Sequence, residues 1–337
     1  MTDLTIKLLV QMHYHIRVIS KIVSILIVFN LIGCISDAPR DNPLDPANGL
    51  MVSGNISRIY TNNPPENAVV FLQPENLTLI VNDDGGYTFS NLKPGVYQLS
   101  STAPGYSADS ATFDLQQNTK VNLVLDSLPF FRDIKLTTHH VSRWFPPDDL
   151  YSIRYEAAAS DGDGDGDINK VWLKIESIAY TDTLQRSSPG SNIFKGEAFT
   201  LDLSINSIHQ LIGKPFTIYV KDLPGQIVES KDQFLLRIIE DIPQLVSPIG
   251  LEVLNSFPIN FVWQAIVNIS YSYSLKIEIY SISLGLKVDE VNNILSNATT
   301  AQFGGPLSTG DYYWILYIID EFGNSSTSRE GSFRIQL

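Results

Sequence analysis

The chain has 337 residues, 44% of them apolar and 10% aromatic, and a formal net charge of −13. That length holds two or three domains, and that apolar share fills their cores. The acidity excludes a nucleic-acid ligand, whose phosphates need a basic surface, and the single cysteine, Cys34, excludes an intramolecular disulfide.

In chain order, Arg17 and Lys21 precede an 11-residue apolar run, Ile22 to Ile32. A membrane-spanning helix needs about 20 such residues, whereas a signal h-region needs about this many. Leu31-Ile32-Gly33-Cys34 follows directly. The run and this tetrapeptide together resemble the bacterial lipobox. The resemblance implies a signal peptide over residues 1–33, a lipid on the Cys34 thiol and a membrane partner reached through that lipid. Ile35 rather than Asp at the next position implies, by likeness to Gram-negative lipoproteins, a lipid-anchored place at the outer membrane, periplasmic or surface-exposed. Residues 34–49 carry three prolines and three aspartates and read as a flexible tether.

Residues 50–126 break into short alternating runs such as "NAVVFLQ", "GYTFSNL" and "TKVNLVLD", separated by Gly, Pro and Asn. Several such runs predict a β-sandwich. Gly85-Gly86 and Pro94-Gly95 are expected to make hairpin turns. Tyr87 and Phe89, two residues apart, share one face, and Tyr97 and Leu99 share the facing one. The string Asp84-Gly85-Gly86-Tyr87, then Phe89, Leu92, Pro94, Gly95, Tyr97 and Leu99, then Pro104-Gly105-Tyr106, resembles the carboxypeptidase regulatory-like domain. That family implies a prealbumin-like, carbohydrate-binding-like sandwich that accompanies carboxypeptidases without being their catalytic part. The matching residues are of core and turn type, so the likeness transfers a fold and not a site.

Residues 129–240 read as a second sandwich, with "YSIRYEAAAS" and "KVWLKIES" alternating. Residues 241–337 read as a third, with "INFVWQA", "YSLKIEIYSI" and "DYYWILYIIDEFGN" as strands. A repeat links the two. "FTIYVKDLPG" and "YWILYIIDEFGN" each run from an apolar strand into Asp-x-x-Gly, and Asp222/Gly225 and Asp320/Gly323 are expected to close hairpins. The second module resembles a bacterial Ig-like domain. The third, with Trp263 early and Tyr312 and Trp314 late, resembles fibronectin type III. The expected class is therefore all-β, with three consecutive β-sandwich modules after a signal peptide and tether.

"SDGDGDGDINKVW", Ser160 to Trp172, places Asp161, Asp163, Asp165 and Asp167 within seven residues. An EF-hand loop has carboxylates at positions 1, 3 and 5, Gly at 6 and a bidentate Glu at 12. Counting from Asp161, Gly166 falls at 6 but Trp172 falls at 12, and strands flank the loop instead of helices. Two readings stand. Either these four aspartates bind calcium in a hairpin loop, or they form an acidic solvated turn in which Asp caps local N–H groups.

His139 and His140 are neighbours on a strand and face opposite ways, so they do not chelate one metal as a pair. No nucleophile elbow, zinc-helix, Walker or dinucleotide motif occurs. "RWFPPDD" sets Trp144 and Phe145 beside two prolines, either as an aromatic platform for a sugar ring or as a plug at a sandwich edge. The chain thus reads as a non-catalytic envelope lipoprotein for adhesion or capture, with polysaccharide the first partner considered and an envelope protein the second. The alternative is a scaffold subunit of an envelope transport or secretion complex.

Overall fold

The structure, a computed structural model, describes residues 49–337. The signal peptide, Cys34 and nearly all of the tether lie outside the described residues. Strand accounts for 55% of the described residues and helix for 3%, so the fold is all-β. Two compact units divide it. Among the described residues, the first takes 49–57, Thr61–Pro104 and Ala108–Leu125. The second takes Arg58–Tyr60, Gly105–Ser107 and Asp126–Leu337.

The first unit is a sandwich of two four-stranded sheets. One orders Gly86–Leu92, Leu50–Arg58 and Thr119–Lys120, with Leu123–Leu125 also on the second of these. The other orders Leu77–Ile80, Val69–Gln73, Gly95–Thr102 and Asp109–Leu115. Alternation decides what is buried: Tyr87, Phe89 and Leu92 of one sheet and Val70, Leu72, Tyr97 and Leu99 of the other are all buried. The two glycine turns correct an expectation. Leu77–Ile80 and Gly86–Leu92 belong to different sheets, as do Gly86–Leu92 and Gly95–Thr102. The Gly85-Gly86 and Pro94-Gly95 turns are therefore corners that carry the chain across the sandwich, not hairpins. One glycine is imposed by packing: a Cβ on Gly54 would lie 1.7 Å from the Val121 carbonyl oxygen.

The second unit holds two cores. In the first, Leu150–Ser160 pairs with Phe130–Val141 on one side and Ile193–Phe199 on the other. Facing them, Ile168–Ile175 pairs with Tyr180–Arg186 and Pro215–Asp222. Tyr180–Arg186 also pairs with Ile193–Phe199 through Gln185 and Arg186, and so turns from one layer into the other. Ile153, Tyr155, Val171, Leu173, Phe216 and Ile218 fill the space between.

The other core packs Phe261 and Trp263 against Leu275, Ile277, Trp314 and Phe333. Both indoles donate to carbonyls, Trp263 Nε1 to Ala298 at 2.9 Å and Trp314 Nε1 to Pro248 at 2.8 Å, as buried N–H groups must. The Tyr312 hydroxyl donates back to Ser308 O at 2.8 Å, a corner typical of sandwiches. Both Asp-x-x-Gly segments close hairpins: Pro215–Asp222 pairs with Ile227–Glu229, and Gly310–Asp320 with Ser325–Thr327. The two cores share hydrogen bonding, because Ser325–Thr327 also pairs in parallel with His139–Val141.

Candidate functional site

Register gathers one group of aspartates. Phe130 lies opposite Ser160, which brings Asp126, four residues before Phe130, to the loop that starts at Asp161. Ile168 lies opposite Asp222, which brings the end of Pro215–Asp222 to the end of the same loop. Five carboxylates from three segments thus meet at one end of the sandwich: Asp126, Asp161, Asp163, Asp167 and Asp222. Asp126, Asp161, Asp167 and Asp222 are each more than nine-tenths buried.

Backbone donors hold one oxygen of most of them. Asp161 Oδ1 accepts from the Asp163 amide at 2.8 Å, and Asp163 Oδ2 from the Ser127 amide at 2.7 Å. Asp222 Oδ1 accepts from the Gly225 and Gln226 amides, both at 2.6 Å. The Tyr60 hydroxyl donates to Asp167 Oδ1 at 3.1 Å. Six oxygens are then left buried with no hydrogen-bond partner among the described residues: both of Asp126, Oδ2 of Asp161, Asp167 and Asp222, and Oδ1 of Asp163. Burial first, and then the charges of Asp222, Asp163, Asp167 and Asp161, push the Asp126 carboxyl up to about 6. Burial likewise pushes Asp161 up to about 6 and raises Asp167.

Of the four aspartates singled out in the loop, the structure brings Asp161, Asp163 and Asp167 together. Asp165 sits in a short 3-10 turn and offers its backbone carbonyl to Arg186 Nη2 at 3.4 Å. Sequence reasoning missed Asp126 and the role of Asp222. The repeated Asp-x-x-Gly was the one signal for Asp222; nothing local marks Asp126.

A second feature lies on the same unit. Trp144 and Phe145 are 62% and 88% exposed, so neither plugs the sandwich edge. Trp144 stands at a cleft of about 950 Å³ whose walls include Asp148, Asp149, Tyr151, Arg329 and Glu330. The Trp144 indole donates to Glu330 O at 3.2 Å, and the Arg329 guanidinium stacks 4.8 Å from its ring centroid, which fixes the ring with one face occupied. Under the cleft, the His140 ring stacks on Tyr151 at 4.3 Å, and its Nδ1 lies 3.0 Å from Ile239 O. His139 turns the other way, with Nδ1 2.7 Å from Ser325 Oγ and Nε2 2.8 Å from Thr137 Oγ1. Polar groups ringing an aromatic face suit a hydroxyl-rich ligand with one apolar side.

Comparison with known proteins places the first unit. Residues 51–126 match the carboxypeptidase regulatory-like domain. Within this matched segment the aromatic residues of the string, Tyr87, Phe89 and Tyr97, are buried, so what they carry is the fold. Comparison with the curated proteins gives no match. Among solved structures, the chicken CNTN1 FN1-FN3 domains are 10% identical, cover 80% of this chain and 91% of their own, and give a TM-score of 0.31. BcpA, the major pilin subunit of Bacillus cereus, is 10% identical over 85% of this chain and 95% of its own, with a TM-score of 0.28. The fibronectin(III)-like modules of Clostridium thermocellum CbhA are 11% identical over 62% of this chain and 94% of theirs, also with a TM-score of 0.28.

Proposed function

We propose that this chain is a non-catalytic, lipid-anchored envelope protein that captures polysaccharide in the Trp144 cleft. The observation that supports this most is the exposed Trp144–Phe145 pair beside a cleft rimmed with Asp148, Asp149, Arg329 and Glu330. A sugar ring stacks its C–H face on an aromatic ring while its hydroxyls bond to carboxylates and guanidinium. The lipobox supports an anchor at Cys34, and Ile35 after it supports delivery to the outer membrane.

The test is retention of the full chain, purified in detergent, on a panel of immobilised polysaccharides. The reading expects at least one to be retained. Removing an aromatic contact of this kind costs about 1 kcal/mol or more, so Trp144→Ala should weaken retention five- to tenfold. No retention on any polysaccharide, or equal retention by the variant, would sink it.

A second reading, a scaffold subunit of an envelope complex, is favoured by one strand. Leu286–Leu295 ends the hydrogen-bonded order of its sheet and exposes Leu286, Val288 and Leu295. A strand from a partner protein would add to an unpaired edge of this kind. Co-purification of a membrane protein that is lost when Val288 becomes Lys would favour this reading over capture.

A further inference from the structure

The buried carboxylates divide the two halves of the internal repeat in a telling way. Asp222 and Asp320 occupy equivalent places, each at the end of a long strand and each capping its hairpin through Oδ1. Asp320 Oδ1 accepts from the Phe322 and Asn324 amides, both at 2.9 Å, as Asp222 Oδ1 does from Gly225 and Gln226. Their second oxygens differ. Asp320 Oδ2 is met by Arg237 Nη1 at 3.0 Å and by Asn324 Nδ2 at 2.9 Å. Asp222 Oδ2 is equally buried and meets no donor among the described residues. Where one copy of the motif has a guanidinium, the other has four more carboxylates.

A buried carboxylate is costly without a counter-charge, and five together are more so. The chain nevertheless builds this arrangement with care. The Asp126-Ser127 segment is laced onto the loop, with the Ser127 amide donating to Asp163 and Ser127 Oγ accepting from the Gly162 amide at 3.1 Å. Backbone amides use up one oxygen of Asp161, Asp163 and Asp222 and leave the other free. All six unpartnered oxygens are hard, anionic donors, with no imidazole or thiolate among them. That set excludes a preference for zinc or copper and matches calcium, which takes 6–8 oxygens in flexible geometry. Magnesium keeps several waters and demands a near-ideal octahedron, a geometry that carboxylates drawn from three chain segments are poorly placed to give.

We propose that Asp126, Asp161, Asp163, Asp167 and Asp222 form a calcium site that ties three chain segments together at one end of the first core of the second unit. Among the described residues no three His, Cys, Asp or Glu side chains already stand at the spacing of a bound ion. Binding an ion would therefore draw these mutually repelling side chains closer together. Asp165 is outside the set. The site is separate from the Trp144 cleft and does not rest on the capture of a glycan.

The test uses the full chain in detergent, stripped with EDTA, then titrated with calcium chloride and, separately, magnesium chloride. Calorimetry should give a sub-millimolar calcium dissociation constant and binding at least tenfold weaker for magnesium. Calcium at about 100 times its dissociation constant should raise the melting midpoint of the second unit by roughly 5–10 °C. Asp126→Asn and Asp222→Asn keep the shape and remove a charge. Each should melt higher than the native chain in EDTA, because repulsion is relieved, and should lose most of the calcium shift. Asp165→Asn should keep the whole shift. No calcium heat and no shift, or a shift that survives the Asp126→Asn/Asp222→Asn double variant, would overturn the proposal.

Discussion

At the scale of single residues, the sharpest contrasts come from groups that have, or lack, a partner. Arg237 neutralises Asp320 at 3.0 Å and stacks 3.8 Å over the Tyr271 ring. Replacing it with Ala leaves a fully buried carboxylate short of its counter-charge, and breaking such a pair costs about 3–5 kcal/mol. Arg237→Ala is expected to destabilise the second unit by about 3 kcal/mol in urea unfolding, and an unchanged midpoint would contradict the pairing. Gly54 makes a steric case. Its Cα–H faces the Val121 carbonyl, whose own amide is bonded to Ser53 O at 2.9 Å, so neither strand yields without losing ladder bonds. Gly54→Ala is expected to cost about 2–3 kcal/mol, within the range of core overpacking. The midpoint of the first unit in a denaturant titration measures it.

At the scale of elements, one imidazole stands at the join between the two cores of the second unit. His139 lies where Phe130–Val141 meets Ser325–Thr327. Burial first, and then the Arg154 charge, pushes its pKa from 6.5 down to about 4. A base whose folded pKa is lowered binds fewer protons folded than unfolded between those two values, so its contribution to stability is present above pH 6.5 and is lost as pH falls towards 4. The native chain should lose on the order of 2 kcal/mol from this group over that window. His139→Gln should flatten that slope relative to the native chain when both are followed by thermal melts. Equal slopes would show that the imidazole is freely protonated in place.

Elements were also where the sequence was most and least legible. Leu150–Ser160 could be read directly from its alternation, because a half-buried strand repeats every two residues, and Gly310–Asp320 from an apolar run ending in Asp-x-x-Gly. Both Asp-x-x-Gly hairpins followed from the repeat. The turns at Gly85-Gly86 and Pro94-Gly95 were misread because a glycine turn looks the same whether it joins neighbours in one sheet or crosses to the other. Three of the five clustered aspartates were visible in the loop. Asp126 was not, since its place depends on Phe130 pairing with Ser160, a contact fixed only by the folded sheet. The free oxygen of Asp222 was hidden for a similar reason: only the fold reveals that Asp320 has Arg237 and that Asp222 has no such partner.

At the scale of the whole molecule, the proposed lipid anchor at Cys34 would precede a sandwich similar to the carboxypeptidase regulatory-like domain and a two-core unit that carries both candidate sites. Burial of acyl methylenes contributes about 0.8 kcal/mol each, so several chains on one cysteine hold a protein at a bilayer. Cys34→Ala is therefore expected to abolish incorporation of a labelled fatty acid and to release the chain from the membrane fraction on salt wash. Incorporation that persists in this variant would contradict the lipobox reading, since no other cysteine exists.

The most direct measurement of polysaccharide capture is the exposure of Trp144 itself. Trp263 and Trp314 are buried and Trp144 is 62% exposed, so acrylamide quenching of tryptophan fluorescence reports largely on Trp144 and, to a lesser degree, Trp172. The difference between the native chain and Trp144→Phe isolates the Trp144 signal. A polysaccharide that the protein retains is predicted to shield that signal and lower its quenching constant. A retained polysaccharide that leaves it unchanged would show that binding takes place away from the cleft.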